Sequence, residues 1–312
     1  MTALVISCIC IFIFVLIFFA ITYFVFTFTF VNPKSNRNLS RNFPDNIIYK
    51  TRKEKFLEVV EKLENTDSES VSITADDGIL LHGSYFENNP KAPLIIFFHG
   101  YHGTFKWDGY GTFKTATENG WNILMTDLRA HGKSTGNVIT FGIKESLDVK
   151  TWTNYAASRF GKSTPVFISG MSLGAASVLM AGNLSLPQNV KGIISDSAFS
   201  NAEEQIKTAI HFMHLPVIPV YFFVVLGAKI FGHFDFRKSS PLEAVKKINH
   251  PILFIHAKKD TIVPVKMCDD LYNACTSKKF LLQINNGDHT ATATDDYSSY
   301  KKAVESFVKS LS

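Results

Sequence analysis

A hydroxyl becomes a useful nucleophile at neutral pH when an imidazole takes its proton and a carboxylate holds that imidazole in the right tautomer. This sequence offers such a set in the order Ser172, Asp260 and His289. Ser172 is the centre of Gly170-Met171-Ser172-Leu173-Gly174. The preceding Val166–Ser169 reads as a short buried strand, and Leu173–Ala181, full of small residues, as a helix, so the pentapeptide falls on the turn between them. A sharp strand-to-helix turn strains its central residue, and glycine two places before and after leaves room for neighbouring backbone. The first N–H groups of a helix lack intrahelical partners, so Leu173 N–H is free to bind an oxyanion. The plain alternative is a glycine-rich turn with a capping serine.

The remaining candidates also follow strands. His99-Gly100-Tyr101-His102-Gly103 comes directly after Leu94–Phe98 and can aim a second N–H, that of Tyr101, at the same point. Asp260 closes His256-Ala257-Lys258-Lys259-Asp260, and His289 closes Asn286-Gly287-Asp288-His289. Asp196, at another strand end, is the rival acid, and His131 in Asp127-Leu128-Arg129-Ala130-His131-Gly132-Lys133-Ser134 is the rival base. That loop reads as structural, with Asp127 and Arg129 pairing to fix it. Asp288 lies too close in sequence to His289 to turn back and orient it. No zinc-like spacing occurs, and no cofactor is implied, because water is the only co-substrate this chemistry needs.

These side chains need a scaffold that gathers strand ends. Apolar strands at Leu94–Phe98, Asn122–Thr126, Val166–Ser169, Gly192–Ser195, Pro251–His256 and Phe280–Ile284 alternate with amphipathic segments, which predicts an α/β fold with a mostly parallel sheet covered on both faces. Ligands then sit outside the carboxyl ends of the strands. Asp76-Asp77-Gly78 between Val71–Thr74 and Ile79–Tyr85 predicts a hairpin ahead of them.

The chain has 312 residues, 46% of them hydrophobic, and a net charge of +5 spread along its length, a balance that suits one large domain and not nucleic-acid binding. Ala3–Val31 carries no charge and exceeds the roughly 20 residues that cross a hydrocarbon layer. No basic n-region or small-residue cleavage site accompanies it, so it reads as an uncleaved anchor. Lys34, Arg37, Arg41, Lys50, Arg52, Lys53 and Lys55 follow the span, which puts the large domain on the cytoplasmic side. Asn32–Asp45 reads as a juxtamembrane linker. Phe56, Val59, Val60 and Leu63 mark an amphipathic helix over Thr51–Glu64 that packs on the domain. Sequons at Asn38 and Asn183 carry little weight, and the four cysteines read as free thiols. Between Ser195 and Pro251 lies an excursion too long for a simple crossover. It is apolar from His214 to Phe236 and interrupted by Pro219 and Gly227. A lid, plain packing on the domain and dipping into the bilayer are its three readings.

Together HGYHG, DLRAHGKS, GMSLGA, the Asp260 loop with Thr261-Ile262-Val263-Pro264, and GDH resemble the α/β-hydrolase superfamily, in particular its membrane-anchored Bem46-like and serine-aminopeptidase-like branch. The resemblance runs from about Val71 to the C-terminus. It implies an α/β-hydrolase fold with Ser172 as nucleophile, Asp260 as acid, His289 as base, and the Tyr101 and Leu173 amides as oxyanion donors. The expected organisation is an anchor over 1–31, a linker and amphipathic helix over 32–70, and a hydrolase domain over 71–312 with a lid at about 199–245. The expected substrate is an ester or thioester of an apolar acyl group. A peptide substrate is the alternative, disfavoured because acidic residues are sparse in the excursion, and a non-catalytic membrane scaffold is the reading from a different class.

Overall fold

The computed structural model describes residues 2–34 and 52–312. An eight-stranded sheet dominates it: β1 (Glu69–Thr74), β2 (Leu80–Phe86), β3 (Leu94–Phe98), β4 (Asn122–Asp127), β5 (Val166–Met171), β6 (Val190–Asp196), β7 (Ile252–Ala257) and β8 (Lys279–Ile284), in the order β1-β2-β4-β3-β5-β6-β7-β8. β1 and β2 pair antiparallel as the hairpin around Gly78, β2 joins β4 antiparallel, and every later pairing is parallel. The central strands β3, β4 and β5 are buried at every residue, as expected of strands covered on both faces, whereas edge strand β8 is half-exposed. Strand order reverses at β3, which lies between β4 and β5, so the loops after β3 and β5 come to one rim, with Phe98 opposite Gly170. Ala257 of β7 stands opposite Ile284 of β8, which brings the next two loops to the same rim.

Two apolar layers sandwich the sheet. The helix Lys53–Asn65 buries Phe56, Val59, Val60 and Leu63 against one of them, beside Phe86 and Phe113, as its periodicity requires. The linker residues 35–45, with the Asn38 sequon, lie outside the described residues.

The N-terminal helix, Thr2–Phe30, is long and apolar enough to cross a membrane. Its last turn is part of the domain. Phe30 is fully buried against Phe141, Phe234 and Phe236. Ile139 N donates to Phe30 O at 2.7 Å, Val31 bridges Val138, and the Asn32 side chain donates to Ala130 O at 2.9 Å. Asn32, expected to begin a linker, is therefore docked, because its amide satisfies a buried carbonyl of a tight loop.

The excursion forms helices Ala202–Phe212 and Val217–Ile230, then a short 3-10 turn and the helix Pro241–Val245. Pro219 and Gly227 do not break Val217–Ile230. Pro219 sits in the first turn, where its missing N–H costs no hydrogen bond. Gly227 faces the N-terminal helix, where a Cβ would lie 2.8 Å from Phe26 Cβ and 3.1 Å from Thr22 O.

Candidate active site

Ser172 caps the helix Leu173–Gly182 with φ 53° and ψ −112°, a conformation that costs a non-glycine residue about 1–3 kcal/mol. The surroundings impose it. Ser172 N donates to Asp196 O at 2.8 Å and Ser172 O accepts from Ala176 N at 2.9 Å, which pins the turn between β6 and the new helix. A Cβ on Gly170 would lie 2.6 Å from Ala175 N, and one on Gly174 would lie 2.6 Å from His99 O, so both glycines are demanded by close backbone packing.

His289, nine-tenths buried, makes hydrogen bonds through both ring nitrogens: Nε2 to Ser172 Oγ at 3.0 Å and Nδ1 to Asp260 Oδ2 at 2.8 Å. With the carboxylate accepting at Nδ1, that nitrogen carries the proton and Nε2 faces the serine hydroxyl as an acceptor. The other Asp260 oxygen accepts from Ile262 N at 2.9 Å and Val263 N at 2.7 Å. Burial works against ionisation of Asp260, but the charge of His289 and the side-chain hydrogen bonds of His256 and His289 hold it well below the usual carboxylate range. Burial likewise opposes protonation of His289, and the Asp260 charge and hydrogen bond outweigh it, raising the imidazole above its ordinary value.

Asp196, the rival acid, points elsewhere. Its oxygens accept from Thr292 Oγ1 at 2.6 Å and Ser197 Oγ at 3.0 Å, and complete burial pushes it up to about 6. His131 is not a base for Ser172. Its Nδ1 donates to Arg129 O at 2.9 Å and its Nε2 accepts from His102 N at 3.0 Å. His99 is tied in the same way, donating to Gly100 O and accepting from Leu128 N, so the two rings strap the loops after β3 and β4 together.

That strapping aims the proposed oxyanion donors. Gly100 N is committed to Asp108 Oδ2 at 2.7 Å and His102 N to His131, which leaves the Tyr101 amide between them. A Cβ on Gly100 would lie 3.4 Å from Ser172 Cβ, so this loop lies against the Ser172 turn and the Leu173 amide that begins its helix. The Tyr101 hydroxyl turns the other way and donates to Thr29 O, in the last turn of the N-terminal helix, at 2.9 Å.

Three positioning residues were not assigned from sequence. Asp108 fixes the Tyr101 loop. His256 Nε2 lies 2.9 Å from Val263 O and 3.3 Å from Asp260 Oδ2, buttressing that carboxylate. Asp288 accepts from Thr261 N, Thr261 Oγ1 and His289 N, stapling the Asp260 loop to the His289 loop without touching the imidazole ring. His256 and Asp288 stand inside motifs already singled out, but only spatial neighbours reveal their work. The expected Asp127–Arg129 pair does not form. Arg129 makes a bidentate pair with Asp148 at 2.6 and 2.7 Å and reaches Asp77, while Asp127 accepts from Lys133 N at 2.9 Å. Asp127 closes β4 and is engaged within its own loop by Lys133 N, whereas Arg129 lies beyond the strand and turns to the helix Ile143–Phe160, which carries Asp148.

Among the described residues no group of three or more His, Cys, Asp or Glu side chains could hold a metal ion. The fold is that of the α/β-hydrolases. The serine aminopeptidase family S33 matches residues 89–225. The uncharacterised protein YqkD of Bacillus subtilis is 29% identical, over 62% of this chain and 63% of its own length. The lysophosphatidylserine lipase ABHD12 of Danio rerio is also 29% identical, over 61% of this chain and 49% of its own. The chain thus spans about half to two thirds of these two relatives. The Pyrococcus furiosus esterase Pf2001 superposes with a TM-score of 0.67 at 24% identity, covering 80% of this chain and 93% of that one. The chain has the α/β-hydrolase fold and is similar in sequence to these hydrolases and to the protein bem46 of Schizosaccharomyces pombe.

Proposed function

We propose that this chain is a membrane-anchored serine hydrolase that cleaves an ester or thioester of an apolar acyl substrate. The observation that carries the proposal is the relay of 3.0 and 2.8 Å from Ser172 through His289 to Asp260, set on a strained turn. Ser172 Oγ attacks the acyl carbon while His289 Nε2 takes its proton, and the oxyanion accepts hydrogen bonds from the Tyr101 and Leu173 amides. Collapse breaks the bond to the leaving group, which takes the proton from His289. Water, deprotonated by the same imidazole, then attacks the acyl-enzyme and regenerates the Ser172 hydroxyl.

An ester is favoured over a peptide because Asp235 and Glu203 are spent in ion pairs and Glu204 is exposed on the surface. Asp235 pairs with Arg237 and Glu203 with Lys207, which leaves neither to capture a free amine. The lipase name of the Danio rerio relative points the same way. A fluorophosphonate probe will label the wild-type chain, and Ser172→Ala will abolish both labelling and hydrolysis of p-nitrophenyl esters. Labelling that survives in the variant removes Ser172 from its role and leaves the scaffold reading standing.

An anchor over 1–31 is supported by the burial of Phe26 and Phe30, since removal of the helix would strip both from the core of the 71–312 domain. The basic residues after the span, Lys34, Arg52, Lys53 and Lys55 among them, favour a cytoplasmic domain. Protease added outside sealed cells should leave the domain intact, and its digestion there would reverse the orientation.

A further inference from the structure

The helices Ala202–Phe212 and Val217–Ile230 form a hairpin that runs beside the N-terminal helix. Phe222 and Phe223 meet Phe18, Gly227 meets Thr22 and Phe26, and Phe231 meets Tyr23 and Phe26. Residue numbers rise together along this contact, so the two helices are parallel. The start of Val217–Ile230 therefore points away from the domain, along the outer part of the N-terminal helix. Lys207 lies over the Tyr221 ring at 4.6 Å, which sets the two arms of the hairpin antiparallel with the turn outermost.

Polarity changes along this axis. The charged side chains of the two arms are Glu203, Glu204, Lys207 and Lys229, all toward the domain. Beyond Lys207 and Tyr221 the tip presents Phe212, Met213, Leu215 and Ile218 to the outside, with Ile218 85% exposed, and only Thr208, His211 and His214 as polar company. Exposed side chains of this size clustered at one end form an apolar patch that needs a partner.

The N-terminal helix identifies that partner. Its outermost 20 residues, Thr2–Ile21, span about 30 Å, the thickness of a hydrocarbon layer. The hydrocarbon boundary then falls near Thr22 and Tyr23, level with Gly227 and Phe231, and Tyr221 and Lys207 lie about 7 Å further out, within reach of the interface for a long lysine side chain. The tip, about nine residues of helix beyond Gly227, lies roughly 13 Å inside that boundary, still within the nearer half of the hydrocarbon layer. We infer that the hairpin tip, Phe212–Ile218, inserts into the same bilayer leaflet as the base of the anchor and seats the rim of the catalytic site on the lipid surface. The hydroxyl of Tyr101 on Thr29 O ties the putting-in-place of the oxyanion loop to the same anchor turn. A substrate taken through this face is an acyl lipid resident in the bilayer, which deepens the preceding proposal and rests on its anchor.

The full-length chain should be reconstituted in phosphatidylcholine vesicles carrying bromine at mid-chain, as Ile218→Trp and, separately, Leu4→Trp. The emission added by each tryptophan should fall about twofold or more relative to unbrominated vesicles. Quenching of Leu4→Trp with none of Ile218→Trp overturns the inserted hairpin and leaves the anchor standing. Quenching of neither overturns the anchor, and the hairpin with it. Unquenched Ile218→Trp together with a doubled particle mass in detergent would assign the patch to a second copy of the chain and also overturn the proposal.

Discussion

Replacing Asp260 with asparagine is expected to lower kcat by about 10⁴-fold, while Asp196→Asn stays within about tenfold of the wild type. Asp260 Oδ2 is the acceptor for His289 Nδ1, and an asparagine amide can turn its own N–H toward that nitrogen, which stabilises the tautomer that cannot take the Ser172 proton. Asp196 is as buried and as near in the fold, yet its oxygens are spent on Thr292 and Ser197. The pH profile separates a role in the relay from simple damage. His289 acts only when unprotonated, and Asp260 raises its pKa. The acid limb of kcat/KM for the wild type should therefore lie above the ordinary histidine value of about 6.5, with activity lost as pH falls through it. In Asp260→Asn the residual activity should persist to lower pH, because the charge that favoured the imidazolium is gone. Equal losses in the two variants, or an unmoved limb, would take the acid role away from Asp260.

The strands that carry this site are legible where burial on both sides leaves an unbroken apolar run. Leu94–Phe98 has the bounds its composition predicts, whereas β6 begins two residues early because Lys191 interrupts the pattern without interrupting the strand. Residues whose partners are distant in sequence are harder to read. Asp108 is an unremarked acid in a short helix until its carboxylate is seen on Gly100 N, and Arg129 finds Asp148 and Asp77 where its neighbour Asp127 seemed the natural partner. The same holds for Gly227, whose lack of a side chain reads as a helix breaker along the chain and as a contact surface once the N-terminal helix lies against it. Local spacing announces which groups have the chemistry, and tertiary contacts decide which of them hold the others still.

Gly174→Ala is expected to lower kcat by about 10²-fold with the triad residues unchanged, and to destabilise the fold by about 1–3 kcal/mol. The added methyl would overlap the carbonyl of Phe98 and come within 2.6 Å of His99 O, both backbone atoms at the end of β3 that cannot rotate away. The helix Leu173–Gly182 must then retreat from β3, and its first amide, Leu173 N–H, moves with it away from the Tyr101 loop that continues from His99. Displacement of about 1 Å between two donors that must meet one oxygen is enough for the kinetic loss. Urea titration reads the stability change, and kcat for a p-nitrophenyl ester reads the other. Fluorophosphonate labelling should slow with kcat, because the probe also develops negative charge on the oxygen these amides are proposed to receive. An alanine variant with wild-type stability and turnover would mean that the nucleophile turn does not need its contact with β3, and the convergence of the Leu173 and Tyr101 amides would lose its structural basis.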